Sequence, residues 1–353
     1  MTSSPANAAP QPSELSYASP TTASGGTGGT RDNSPQSTRQ CWAWFLDEQA
    51  WTIEEKDETL TLSTSFSGAF LLRYITTVQG WIGRWTTTGE CPFIHSHLYI
   101  ARFPTDLQVA YMTYIAYANR VPGNTEMILK IVEDQASKLV ADSGAGLGHD
   151  ICFPTGASSD SCIRACRTSL LDQLARLQSL IIYQAIGLFD GDIRLRHLAE
   201  GRLAFLIEWS RHLLDSARQK FAASPTAIID ITLALQDGPM DSLEHPWYLW
   251  ILTESIRRTW LVATSIEGVY YMIQRGWHPC PGGVMLTTQE GIWNAKGSQA
   301  WEKLCTENDV GFMRRFEIER LFRDSRPPDV DEFTQVMMEI TYGSESFERW
   351  KFK

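Results

Sequence analysis

Cys91, His95 and His97 place a thiol and two imidazoles within seven residues, Cys91-Pro-Phe-Ile-His95-Ser-His97. These are donor types that ligate zinc. A structural zinc site takes a fourth ligand, and the sequence nominates none. Phe93, Ile94, Leu98 and Tyr99 around them read instead as a packed segment. Cys162 and Cys166 are one helical turn apart, but no second pair accompanies them. Gly144-Ala-Gly-Leu-Gly148 has glycines of the kind that cradle phosphate. It lacks the G-x-G-x-x-G spacing, follows a helical pattern and carries no Lys-Ser/Thr after it, so it reads as a loop. The carboxylates Asp329, Asp331 and Glu332, with Asn308-Asp309, evoke the magnesium motifs of a helical terpene cyclase. Where that chemistry needs a hydroxyl and a further carboxylate, the sequence has Phe312 and Phe316. No G-x-S-x-G or H-E-x-x-H occurs. The expectation is no catalytic residue, no metal ligand and no cofactor.

The most informative polar residues lie inside an apolar run. Pro246 to Ile273 is apolar almost all round a helix, with Pro246 suited to its first turn and Gly276 to its end, so it reads as a buried central element. Glu254 precedes Arg257 and Arg258 by three and four residues, the spacing at which side chains on one helix face meet. Unpaired buried charge is costly, so this trio is expected to form a structural ion-pair node linking neighbouring helices. Trp247, Trp250, Trp260, Tyr270 and Tyr271 share the same helix and read as aromatic core, with a small-molecule pocket as the other reading.

Helices must position these residues. Thr105 to Arg120 follows Pro104 with Leu107, Tyr111, Tyr114 and Ala118 at helical spacing. Asn124 is placed to cap a second helix through Leu139. Leu170, Leu174, Leu177, Ile181 and Leu188 make one apolar face, stopped at Asp190-Gly191. Asp192 then caps a helix with the stripe Leu195, Leu198, Leu203, Leu206, Trp209 and Leu213, antiparallel to the one before it. Strand signals are few: Thr59 to Thr64 alternates weakly and reads as a short strand or a loop.

The totals narrow the function. The 353 residues include 43% hydrophobic residues and 13 tryptophans, enough for a sizeable core. Residues 1–40 are mostly Ser, Thr, Pro, Ala and Gly, which cannot offset the entropy of ordering and are expected to be disordered. The formal charge of -10, without a Lys/Arg cluster, argues against direct nucleic-acid contact. Arg257-Arg258 and Arg314-Arg315 are too short to read as nuclear import signals. Seven unpatterned cysteines fit reduced intracellular thiols, and no secretory signal is present. The uncharged stretch from Leu177 to Phe189 is too short to span a bilayer, so no membrane association is expected.

The segment Glu254-Ser255-Ile256-Arg257-Arg258-Thr259 behind a Trp-rich entry resembles the C-terminal regulatory region of fungal binuclear-zinc-cluster (Zn2Cys6) transcription factors. So do Pro92 to Tyr99, Leu174 to Leu180 and Leu188 to Arg194; in order along the chain, they most resemble regulators encoded beside secondary-metabolite genes. The family's six-cysteine DNA-binding module has two C-x2-C pairs, and this sequence contains none. A truncated gene model, a regulator working through a DNA-binding partner and a non-functional copy all fit that departure.

The expected architecture is all-α: a multi-helix, bundle-like regulatory domain over 41–353 behind a disordered tail over 1–40. The resemblance implies a non-enzymatic nuclear regulator of transcription for a biosynthetic gene cluster. Its implied partners are other transcription regulators or coactivators, a DNA-binding protein, or a small-molecule effector. The alternatives are an aromatic-pocket enzyme of secondary metabolism and a pure interaction module.

Overall fold

A computed structural model describes residues 43–55, 66–144, 169–223 and 244–353. The expected tail over 1–40, the strand candidate Thr59 to Thr64, Gly146, Gly148, Cys162 and Cys166 lie outside the described residues.

The architecture is all-α, as the periodicities predict. Its helices are α1 (Gly68–Thr88), α2 (Thr105–Ala118), α3 (Thr125–Gly144), α4 (Leu170–Gly187), α5 (Ile193–Glu200), α6 (Leu203–Ala223), α7 (Glu244–Arg275), α8 (Ser298–Glu307), α9 (Leu321–Asp324), α10 (Glu332–Tyr342) and α11 (Ser344–Lys351). Local chemistry sets their starts. Ser67, Ser169, Asp192 and Asp331 each accept a hydrogen bond from the backbone N–H three residues on, covering a donor that the first turn cannot satisfy. Gly276, at φ 75°, ends α7 in the left-handed conformation that a side chain disfavours.

Two helices form the centre. In α7 every residue from 249 to 266 is buried, and in α4 every residue from 177 to 188. The two pack on each other, and α1, α6, α8 and a short ribbon cover α7. For α4 this corrects the one-faced reading, because Gln178, Ser179 and Gln184 are buried as well. The Leu177 to Phe189 stretch is therefore a core helix. Among the described residues no helix is long and apolar enough to cross a membrane.

The stripe from Leu195 to Leu213, expected as one helix, is split into α5 and α6 at Gly201-Arg202. The Arg202 guanidinium is drawn to α3, where Nη2 donates to Ser137 Oγ at 2.7 Å. Ala199 takes the buried position expected of Leu198, against Gly187 of α4. A Cβ on Gly187 would stand 2.8 Å from that of Ala199, so glycine permits this close crossing. The ribbon, unforeseen in the sequence, pairs β1 (Met285–Thr287) antiparallel with β2 (Phe312–Arg314), with Thr287 opposite Phe312.

Candidate functional site

The site builds outward from Glu254, in the N-terminal half of α7. Its Oε2 accepts from Arg257 Nε at 3.2 Å and Nη2 at 3.0 Å. Its Oε1 accepts from Arg258 Nε at 3.0 Å and from the Thr287 N–H of β1 at 2.9 Å. The structure thus brings the three residues singled out in the sequence into one cluster, with Glu254 and both arginines shielded from solvent.

Two guanidinium groups against one carboxylate would leave a buried positive charge. Asp331 cancels it, its Oδ2 accepting from Arg258 Nη2 at 2.5 Å while its Oδ1 accepts from the Thr334 N–H at the start of α10. Arg257 Nη1 donates to the Phe45 carbonyl, Arg258 Nη1 to that of Pro92, and Arg258 Nη2 also to that of Thr287. Every guanidinium nitrogen has an acceptor. Aromatic faces close the remaining sides: Trp51 and Phe312 over Arg257 at 5.2 and 5.0 Å, Trp293 and Phe333 over Arg258 at 4.2 and 4.9 Å. One charge-balanced cluster therefore ties α7 to the segments at Phe45 and Pro92, to β1 and to α10.

Burial works against every charge here; pairing overcomes it at Glu254 and Arg258, while burial prevails at Arg257 and Asp331. The Glu254 carboxyl resists burial through Arg257, Arg258 and the Thr287 N–H, and lies below the ordinary carboxylate range. Arg258, despite burial, is raised by Asp331 and Glu254. For Asp331 burial prevails over Arg258 and Thr334, lifting its carboxyl above the usual range. The arrangement presents neither an exposed nucleophile nor a free cation; its geometry holds segments together.

The aromatic set does not converge on one place. Trp250 extends the cluster, its Nε1 donating to Thr287 Oγ1 at 3.4 Å and its ring lying against Trp293 and Trp301. Trp247 packs beside His95 and His97. Trp260 is buried apart from both, and the indole N–H groups of Trp247 and Trp260 find no acceptor among the described residues. At the far end of α7 the Tyr270 hydroxyl bonds Glu200, and Tyr271 stacks on His278 with Arg275 over its ring.

The donors read for metal chemistry are committed elsewhere. Cys91 pairs with Ile94 in a tight turn, and burial pushes its thiol up to about 12. His95 Nε2 bonds the Trp293 carbonyl at 3.0 Å and Nδ1 accepts from the His97 N–H at 3.1 Å, which fixes the neutral ring with its proton on Nε2. Burial above all, with His97 beside it, lowers its pKa to about 3. The acidic run is divided as well. Asp329 caps a turn at the Arg326 N–H, Asp331 joins the buried cluster, and Glu332 accepts from Trp81 and Arg84. Among the described residues no three His, Cys, Asp or Glu side chains are grouped to hold a metal ion.

Sequence reasoning reached the half of the cluster that one helix carries and missed Asp331, Thr287, Phe45 and Pro92. Asp331 had a local signal, its capping position before Glu332, but nothing local connects it to Arg258 across 73 residues. Thr287, Phe45 and Pro92 contribute backbone atoms, which leave no mark on residue type.

The chain is similar to a protein of the fungus Penicillium aethiopicum named "Transcription factor gsfR2", with 26% identity over 263 residues. The aligned stretch covers 74% of this chain and 57% of the relative, so the chain spans little more than half of the relative's length. No family model and no solved structure matches the chain.

Proposed function

We propose that this chain is the helical regulatory part of a transcription regulator, acting in the nucleus on a fungal secondary-metabolite gene cluster through other regulators, coactivators or a small-molecule effector. The observation that carries the reading is its similarity to a transcription factor along 74% of its length. The 353 residues hold no C-x2-C pair and carry a net charge of -10, so these residues do not grip DNA themselves. The buried charge cluster serves as framework, holding the central helix in register with the segments around it. The enzymatic alternative loses support because Asp329, Asp331 and Glu332 are each tied to a different structural partner.

The test is to delete the gene and profile transcripts and metabolites from the same cultures. Transcripts of a contiguous gene set should fall together with their product. A product lost while transcripts hold steady would transfer the protein to the chemistry itself. The purified chain should give no band shift with promoter DNA at physiological salt, and a clear shift would overturn that part of the reading.

A further inference from the structure

We draw no further inference here: the strongest candidate, the surface patch of exposed apolar side chains made by Met127 and Ile131 on α3 and Ile193 at the start of the neighbouring α5, carries nothing because nothing in the structure shows what covers it.

Discussion

Replacing Arg258 by Met keeps the length of the side chain and removes its guanidinium. Asp331 then loses the cation at 2.5 Å and keeps only its Thr334 N–H, while the carbonyls of Pro92 and Thr287 lose a donor. The cluster goes from balanced to one uncompensated negative charge in a site closed to water. Breaking a buried pair in this way costs about 3–5 kcal/mol, and each carbonyl left short adds up to about 1 kcal/mol. Asp331 limits the total, because burial has already raised its pKa and protonation relieves part of the charge. A net loss of about 4–6 kcal/mol is a large share of the roughly 5–15 kcal/mol by which a domain is stable. For a folded unit of this size it corresponds to a melting temperature lower by roughly 7–11 °C. Urea unfolding followed by circular dichroism and Trp fluorescence measures it. The decisive comparison is Asp331→Asn together with Arg258→Met, since Asn still caps α10 while its charge is gone. The double variant should be more stable than the sum of the single losses by about 2–3 kcal/mol. If the losses simply add, or if Arg258→Met alone costs less than about 1 kcal/mol, the four charges do not act as one cluster.

The remaining predictions concern the contacts that frame α4 and α7. The folded protein holds His95 neutral down to about pH 3, whereas the unfolded chain takes up that proton below its ordinary value of 6.5. Stability from this group is therefore complete above pH 6.5 and is lost as pH falls toward 3, approaching about 5 kcal/mol at the end of that window. His95→Gln, which can still donate to Trp293 and accept from the His97 N–H, should flatten the pH dependence of urea midpoints; parallel curves for the two proteins would refute the assignment. Gly187→Ala places a Cβ 2.8 Å from that of Ala199 and should cost about 1–3 kcal/mol, with Ala199→Gly restoring most of it in the double variant. A melting temperature unchanged by Gly187→Ala would mean that α4 and α5 move apart freely at their crossing.

Much of the fold is legible because helices write themselves locally. Apolar residues all round α7 announce a central helix, and Glu254, Arg257 and Arg258 announce a cluster because three and four residues of spacing guarantee that they meet. Even the missing partner has a trace in the sequence: two positive charges against one negative cannot be buried without another carboxylate. What cannot be read is which carboxylate, since Asp331 is brought to Arg258 by the path of the whole chain. The β1–β2 ribbon is illegible for a different reason. Strands of three residues are too short to show alternation, and Thr287 serves the cluster with its backbone N–H and carbonyl, which every residue type but proline offers.

The aromatic residues of α7 teach the converse, that a shared helix does not make a shared site. At a rise of about 1.5 Å per residue, Trp260 stands roughly 15 Å and Tyr270 roughly 30 Å along the axis from Trp250. Side chains so far apart cannot enclose one ligand of ordinary size. The contacts follow that spacing: Trp247 meets the His95 segment, Trp250 braces Thr287 beside the charges, and Tyr270 reaches Glu200 at the other end. Aromatic density on this helix is the filler that a long buried rod needs along its length. The charged cluster near its middle fixes which neighbours surround it there, because Glu254 and Arg258 accept only segments that bring Thr287 and Asp331 into reach. Apolar packing alone would tolerate a helix sliding by a turn; a carboxylate and two guanidinium groups with every nitrogen engaged do not.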